Sequence, residues 1–366
     1  MQKEIQLFKP HLNTPQTYKG GKSKSEITSN KKVYKLSSNE NLLGSSPKAI
    51  AAIQKHIHSL NEYPDRKDDR LRGVLSEFYE GKLSASQFIT TNSGVGMLEL
   101  IIRAFLGKGL ECIVSNPSFA PYMMFTKKVE GNVVDIPLVG DNFDLDVQGI
   151  VAAINDRTRL IFLTTPNNPT GTHIAKSQID ELIAQLPAHV ILVIDEVYFQ
   201  FAEAADYTRA LPYVLEGKNV IGVNSFSKAY GLAGLRAGYA YSTAKIAEYV
   251  SLLRRPFMLN TFVIEGVIAA LGDNEFIERT VGVIREGKKY LYPELDKLKV
   301  KYWKSEANFI LMKPDMQDIV FEERMLEEGI MVRPAAGFGA PGCIRVTIGT
   351  EEANRAFIAA LKKVVD

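Results

Sequence analysis

The sequence predicts an α/β protein in which a large, doubly wound and mostly parallel sheet domain is followed by a smaller α+β domain. The length of 366 residues exceeds one compact core and suggests two domains. Short apolar runs without polar alternation, which are typical of strands buried on both faces, alternate with stretches of helical period. After about residue 263 this alternation ends, and long helices precede a few further strands.

The predicted elements of the large domain follow a β-α-β order. Its strands are predicted at 88–91, 112–115, 133–136, 160–163, 190–194 and 220–223. Helical periodicity occurs at 68–79, 94–106, 118–129, 146–155 and 176–186. Later strands begin at Phe309, Ile330 and Ile344, and a last helix is predicted over 351–364. Because helices between parallel strands cover both faces of a sheet, this order places the doubly wound sheet over about 40–260.

The domain boundaries follow from changes in composition along the chain. Residues 1–35 are polar and rich in lysine, which predicts an N-terminal arm long enough to wrap a partner subunit. The large domain is predicted over 36–262. The small domain is predicted over 263–366 and is completed by part of the N-terminal segment.

The composition argues against several classes of function. Lys and Arg number 44 against 42 Asp and Glu, and a net charge of +2 does not favour a nucleic acid partner. No apolar run approaches the roughly 18 residues that cross a bilayer, and the N-terminus lacks the apolar core of a signal peptide. Two cysteines provide neither a disulfide framework nor a metal site. We therefore expect a soluble, cytoplasmic protein without a bound metal.

Four predicted strands end in segments that could form a site, because ligands of open α/β sheets gather at the carboxyl ends of the strands. The segments are 92–96, 164–171, 195–198 and 224–231. Each segment alone has an ordinary structural explanation. Asp195 could cap a helix, Lys228 could be solvated, and a glycine-rich turn is common between a strand and a helix. It is much less probable that all four segments would follow predicted strands by chance.

One cofactor, pyridoxal phosphate, requires this set of groups. It needs a lysine for its aldehyde and a carboxylate that keeps its ring nitrogen protonated, so that the ring withdraws electrons. Lys228 supplies the amine and Asp195 the carboxylate. Asn168 and Tyr198 would donate hydrogen bonds to the ring oxygen, and Phe119 would stack on the ring face. An anion site for the phosphate at a helix N-terminus would use Gly94, Val95, Ser225, Ser227 and Arg236.

These motifs resemble those of the fold-type I, class I/II aminotransferases. The resemblance rests on Asn-Asn-Pro-Thr-Gly at 167–171, Asp-Glu-Val-Tyr at 195–198 and Ser-Phe-Ser-Lys at 225–228, with Gly-Leu-Arg at 234–236. Within that family, the segments 38–44, 63–65, 306–309 and 333–350 are similar to the histidinol-phosphate aminotransferase branch. The match covers nearly all of the chain from about residue 36.

The resemblance implies the fold-type I architecture and transamination between L-histidinol phosphate and 2-oxoglutarate, an amino donor and a 2-oxo acid acceptor. Lys228, Asp195 and Tyr198 are implied as catalytic residues. Tyr63 is implied to reach the phosphate of a neighbouring subunit, which predicts a homodimer with shared active sites. Substrate contacts are predicted for Asn41, Tyr63, Asn168, Arg333 and Arg345.

The residues also support a substrate argument and show three departures from the family pattern. Arg333 and Arg345 flank a glycine-rich stretch at 335–342, and a guanidinium accepts a phosphate or a carboxylate in the same bidentate way. Leu42 replaces the usual proline, Val95-Gly96 replaces an acidic pair, and Phe119 replaces a tyrosine. Backbone phosphate contacts and ring stacking survive these changes, so the departures bear on substrate preference.

Three alternatives stay open at this point. An aromatic amino acid aminotransferase would share almost every motif. A decarboxylase of amino acid phosphates would share the lysine, the aspartate and a phosphate-binding substrate site. A non-enzymatic ligand-binding module of a regulator is disfavoured, because the sequence has no recognisable DNA-binding segment.

Overall fold

The computed structural model describes His11 and residues 31–365. The strands are, in chain order, β1 (Tyr34–Lys35), β2 (Phe88–Thr91), β3 (Glu111–Val114), β4 (Asn132–Asp135), β5 (Thr158–Thr164), β6 (Ile191–Asp195), β7 (Val220–Ser225), β8 (Gly238–Tyr241), β9 (Lys301–Tyr302), β10 (Phe309–Lys313), β11 (Ile330–Met331), β12 (Arg333–Pro334) and β13 (Ile344–Thr347). Most of the predicted arm lies outside the described residues.

Helices connect most of these strands. They are α1 (Pro47–Lys55), α2 (Asp69–Phe78), α3 (Gly94–Phe105), α4 (Pro121–Lys128), α5 (Val147–Ala153), α6 (Lys176–Gln185), α7 (Leu211–Leu215), α8 (Ala244–Ser251), α9 (Thr261–Leu271), α10 (Asn274–Lys297), α11 (Asp318–Glu327) and α12 (Glu351–Val365). Within residues 31–365, no helix has the length and apolar character needed to span a membrane.

The larger sheet has seven strands in the order β2-β8-β7-β6-β5-β3-β4. Strands β3 to β7 pair in parallel, and β8 alone runs antiparallel to its neighbours β2 and β7. Successive residues of β5 and β6 enter opposite hydrophobic clusters, so both faces of the sheet are buried. The predicted doubly wound, mostly parallel α/β fold is therefore confirmed.

All six predicted strands of this sheet are present, but β8 was not predicted. It is a four-residue strand that enters the sheet between β2 and β7 without a crossover helix of its own. Its first residue, Gly238, lies against the start of α3. A Cβ on Gly238 would fall 2.4 Å from the amide nitrogen of Gly94. Only glycine lets these two backbones approach so closely, which fixes the turn before α3 against the sheet.

A second, antiparallel sheet has the order β12-β13-β10-β9. It packs with α10, α11 and α12 around a separate cluster of buried side chains that includes Phe309, Phe321 and Phe357. Strand β1 pairs in parallel with β11, and the neighbouring Leu36 belongs to the same cluster. The N-terminal segment thus contributes to the C-terminal part of the fold, while the domain boundaries at 36–262 and 263–366 stay a prediction.

Candidate active site

A cavity of about 610 Å³ opens at the carboxyl ends of β5, β6 and β7, between the two sheets. All but two of the predicted site residues line it: Gly94, Val95, Phe119, Asn168, Asp195, Tyr198, Ser225, Ser227, Lys228, Arg236, Arg333 and Arg345. The structure thus brings together side chains that are up to about 250 positions apart in the sequence (345 − 94 = 251). Their individual roles remain predictions.

Lys228 follows β7 in the turn that leads to Arg236. Its Nζ donates a hydrogen bond of 3.1 Å to the carbonyl oxygen of Ser38. The pKa of the Lys228 amine is lowered to about 7, mainly by burial and in addition by the charges of Arg345 and Arg236, while Glu40 and Asp195 oppose the shift. The amine is therefore neutral in a substantial fraction of molecules near pH 7, which is the form that attacks a carbonyl carbon.

Asp195 is the last residue of β6 and is almost completely buried. Its Oδ2 accepts a hydrogen bond of 2.7 Å from the Tyr122 hydroxyl, and its Oδ1 accepts one of 3.3 Å from the amide of Val197. Burial raises the pKa of Asp195 to about 6, and these two hydrogen bonds oppose the increase. Both donors are neutral, so this buried carboxylate is suited to a cationic or N–H partner inside the cavity.

The start of α3 provides an anion site. Ser93 caps the helix by accepting a hydrogen bond of 2.9 Å from the amide of Gly96. A Cβ on Gly94 would lie 3.3 Å from that of Ser225, so the end of β7 packs directly against the first turn. The Ser225 and Ser227 hydroxyls are 3.0 Å apart, and Arg236 also lines the cavity. Backbone N–H groups, hydroxyls and a guanidinium together suit a phosphate.

Two arginines line the cavity from the second sheet. Arg333 on β12 and Arg345 on β13 are direct partners across the antiparallel pair. The Arg345 guanidinium donates to Asn168 Oδ1 at 2.6 Å and to the carbonyl oxygen of Ser37 at 2.8 Å. Both guanidiniums lie over the ring of Phe338, at 5.4 and 5.2 Å. Like charges directly opposite each other are unfavourable, so this arrangement favours an anionic ligand between them.

Two predicted site residues do not line the cavity. The Asn41 amide donates to the carbonyl oxygen of Ala229 at 3.0 Å and to Thr280 Oγ1 at 3.1 Å. Tyr63 is 84% exposed, and its ring lies 4.9 Å from that of Phe257 on the surface. Within its own chain, neither residue is brought to the predicted site.

Three residues at the site were not singled out from the sequence. Asn39 donates a hydrogen bond of 3.0 Å from Nδ2 to the Tyr198 hydroxyl. Glu40 lines the cavity, and Tyr122 contacts Asp195. Asn39 and Glu40 belong to the segment 38–44, and Tyr122 lies in the helix predicted over 118–129. The signal was therefore present, but the pattern does not say which side chain of a segment faces inward.

The donor set fits pyridoxal phosphate on structural grounds. The cavity combines a partly neutral lysine, a buried carboxylate with only neutral donors, and a helix N-terminus with two hydroxyls and an arginine. The Oδ1 of Asn168 accepts the hydrogen bond from Arg345, whereas its Nδ2 has no hydrogen bond to any residue among 31–365. Nor do the described residues contain a cluster of three or more His, Cys, Asp and Glu side chains that could hold a metal ion.

Comparisons with known proteins agree with this site. The family model described as aminotransferase class I and II matches residues 31–361. The chain is 36% identical to histidinol-phosphate aminotransferase 2 of Pseudomonas fluorescens, over 91% of the chain and 89% of the relative. It is 37% identical to histidinol-phosphate aminotransferase 2 of Carboxydothermus hydrogenoformans, over 91% of both proteins.

Solved structures share the fold. The histidinol-phosphate aminotransferase from Sinorhizobium meliloti, solved in complex with pyridoxal-5'-phosphate, aligns with a TM-score of 0.87 over 99% of this chain and 98% of that one, at 23% identity. An aspartate aminotransferase from Thermus thermophilus, solved with maleate, aligns with a TM-score of 0.80 over 91% of this chain and 92% of that one, also at 23% identity.

Proposed function

We propose that this chain, which belongs to the aminotransferase class I and II family, transfers the amino group of L-histidinol phosphate to 2-oxoglutarate. The products are imidazole acetol phosphate and glutamate, and the reaction belongs to histidine biosynthesis. One observation carries the proposal: Lys228 and Asp195 share a cavity with the facing Arg333 and Arg345. The relatives named for this activity, at 36% and 37% identity, support the choice of substrate.

The lining of the cavity supports the following assignment of residues to the cofactor. Lys228 would bond to pyridoxal phosphate, Asp195 would face its ring nitrogen, and Phe119 would cover its ring. Its ring oxygen would be met by Asn168 and Tyr198, and its phosphate by Gly94, Val95, Ser225, Ser227 and Arg236. When bound, the cofactor supplies an electron-withdrawing ring that stabilises the negative charge left after a C–H proton is removed.

Lys228 is suited to move that proton. Because burial lowers the pKa of its amine to about 7, the amine both accepts and returns a proton at neutral pH. The hydrogen bond to Ser38 holds Nζ at the wall of the cavity. Asp195 would in turn keep a proton on the ring nitrogen, as a buried anion beside a cation.

The arginine pair explains how one site accepts two substrates in turn. L-histidinol phosphate carries a phosphate and no carboxylate, whereas glutamate carries two carboxylates. The side chain of Arg345 is held by Asn168 and Ser37, so its fork is oriented before the ligand binds. Arg333 is less buried and would add a second fork, which suits the more highly charged phosphate.

A substrate panel tests the proposal. With 2-oxoglutarate as acceptor, we expect kcat/KM for L-histidinol phosphate to exceed the values for phenylalanine, tyrosine and aspartate. Conversion of the cofactor to its amino form by glutamate should be visible by absorbance, and release of CO₂ should not occur. If phenylalanine or tyrosine is the better donor, the aromatic amino acid aminotransferase replaces this function.

Removal of the two arginines should have different effects. A charge-assisted hydrogen bond contributes roughly 1.5–3 kcal/mol, and each ~1.4 kcal/mol is a decade in rate. We therefore expect Arg345→Ala to lower kcat/KM at least ~10-fold for both L-histidinol phosphate and glutamate. Arg333→Ala should lower the value for L-histidinol phosphate more than that for glutamate.

The conservative variant Arg345→Lys is the control for charge. It keeps the cation but loses the planar fork, so it should recover only part of the activity. Steady-state kinetics of both half-reactions measure these effects. Equal losses for both substrates in Arg333→Ala would contradict the assignment of that arginine to the phosphate.

We further propose a homodimer with shared active sites, in the cytoplasm. Tyr63 lies outside the cavity of its own chain. Its exposed ring contacts the partly exposed ring of Phe257, so it is free to reach a neighbouring subunit. The two adjoining rings form an apolar patch at the surface, which a subunit interface would cover. The described cysteines, Cys112 and Cys343, are free, as expected in a reducing compartment.

Mixing of inactive subunits tests the shared site. Tyr63→Ala and Lys228→Ala should each be nearly inactive as homodimers, and mixed subunits should regain part of the activity, because one of the two sites then has both residues intact. Subunit exchange is verified by mass spectrometry of differently tagged chains. Verified exchange without recovered activity would mean that Tyr63 serves no site of the partner.

A further inference from the structure

The hydrogen bonds behind Asp195 point to a residue that nothing above assigns to the reaction. Tyr122 lies in the first turn of α4, and its hydroxyl is 2.7 Å from Asp195 Oδ2 and 2.8 Å from Thr164 Oγ1. Its side chain is almost completely buried. Its ring stacks on Phe162, with 4.7 Å between centroids and 12° between planes. The hydroxyl is therefore held in one place by packing as well as by hydrogen bonds.

The direction of these hydrogen bonds follows from the protons available. Burial and the charge of Asp195 raise the pKa of Tyr122 well above its ordinary value, so the hydroxyl keeps its proton. Since a hydroxyl has one proton, Tyr122 donates to the carboxylate and accepts from Thr164. The charged groups that act on Asp195 are Glu196, which opposes its ionisation, and Lys228, which favours it.

We propose that Tyr122 is a positioning residue whose hydroxyl holds Asp195 as an oriented, ionised acceptor and thereby keeps a proton on the ring nitrogen of the bound cofactor. The inference rests on the proposed function only in requiring pyridoxal phosphate. A carboxylate and a pyridine nitrogen compete for one proton. A donor to the carboxylate lowers its affinity for that proton and leaves the proton on the nitrogen. Burial alone would have the opposite effect, because it favours a neutral carboxyl group.

Tyr122→Phe tests this role, since it removes the hydroxyl and keeps the ring on Phe162. With pyridoxal phosphate labelled with ¹⁵N in the ring, we expect the nitrogen resonance of the variant to move towards that of neutral pyridine. In the protein without cofactor, the pKa of Asp195 measured by ¹³C NMR should rise by about one unit, a tenfold change in its proton affinity. The kcat should fall about tenfold or more, with KM for L-histidinol phosphate within about twofold.

Two further variants separate this role from packing. Tyr213→Phe is the matched control, because Tyr213 is also buried and donates at 2.7 Å to a carboxylate, that of Asp180, outside the cavity. It should leave the ring nitrogen and kcat unchanged. Thr164→Val removes the donor to the Tyr122 oxygen and should give a smaller shift in the same direction. This variant serves as the test if Tyr122→Phe does not fold.

The outcomes distinguish this inference from the proposed function. If the ring nitrogen and the Asp195 titration of Tyr122→Phe match the wild type, the hydroxyl contributes packing only and the inference is wrong. If the wild type binds the cofactor but does not accept L-histidinol phosphate, the proposed substrate fails while the NMR result still decides the role of Tyr122. A wild type that binds no pyridoxal phosphate would overturn both.

Discussion

Replacement of Lys228 by alanine is expected to lower kcat by at least ~10⁴-fold, the upper end of the range for a general base, because the same amine also bonds to the cofactor. Lys228→Arg keeps the positive charge but cannot form that bond, and it should be equally inactive. Single-turnover kinetics with glutamate measure the loss. Since the other assigned residues still hold the cofactor in Lys228→Ala, a small primary amine added to the solution should restore part of the proton transfer.

A second buried lysine gives a matched control. Lys288 on α10 is also buried, and burial lowers its pKa, but it faces Glu306 and Glu203 rather than the cavity. Reduction with borohydride followed by peptide mapping should place the cofactor on Lys228 and leave Lys288 unlabelled. Lys288→Met should retain the label and the activity. A label on any residue other than Lys228 would show that the assignment is wrong.

The pH dependence of cofactor incorporation follows from the same amine. The neutral form reacts with an aldehyde, and burial lowers the pKa of Lys228 from 10.5 to about 7. The rate of incorporation into the protein without cofactor should therefore rise with pH through about 7 and level off above it. Stopped-flow absorbance at several pH values measures this rate. A rate that still rises steeply between pH 9 and 10 would indicate an ordinary, solvated lysine.

The sequence was most informative where burial on both faces leaves a simple pattern. Strands β5, β6 and β7 are continuous apolar runs because alternate residues enter two different hydrophobic clusters. Polar residues begin where these strands end, which is why Asp195 and Lys228 could be placed at one edge of the sheet. Strand β8 has only four residues and no crossover helix, so it lacked the β-α-β signal that revealed the others.

The sequence was less informative about which side chain of a segment faces the cavity. In the segment at 38–44, Asn41 was expected at the substrate, but Asn39 contacts Tyr198 instead. Asn39 has a left-handed backbone (φ 55°), and such a local turn changes which side chains face inward without changing the apolar pattern. Tyr122 was missed for a related reason. A helix was predicted over 118–129, but the direction in which its first turn faces depends on tertiary packing.

Asp195→Asn is expected to lower kcat by about 10²- to 10³-fold or more. In the holoenzyme the carboxylate would face a protonated ring nitrogen, and breaking a buried ion pair by removing one partner costs roughly 3–5 kcal/mol. An asparagine of similar size keeps a hydrogen-bond acceptor for Tyr122 but cannot hold the positive charge. The dissociation constant of pyridoxal phosphate should increase as well. Asp195→Glu, which restores the charge at a displaced position, should recover part of both properties.

Asp195→Asn should impair activity but should not destabilise the protein without cofactor. Burial raises the pKa of Asp195 from 3.8 to about 6, so between these values the folded state binds more protons than the unfolded state. The free energy of unfolding therefore falls as pH rises from about 4 to 6, by an amount on the order of 3 kcal/mol. Asp195→Asn should lack this fall and, without cofactor, should be at least as stable as the wild type at pH 7.

The carboxylate of Glu196, next to Asp195 in the sequence, is a control for a purely structural role. Glu196 is fully buried, pairs with Arg209 at 2.9 Å and accepts hydrogen bonds from Tyr241 and Asn224. Glu196→Gln leaves Arg209 without this anion, so it should destabilise the protein with or without cofactor. Thermal unfolding of both variants, with and without pyridoxal phosphate, measures the difference. If Asp195→Asn lowers the stability of the cofactor-free protein as much as Glu196→Gln does, Asp195 is a structural carboxylate rather than the partner of the ring nitrogen.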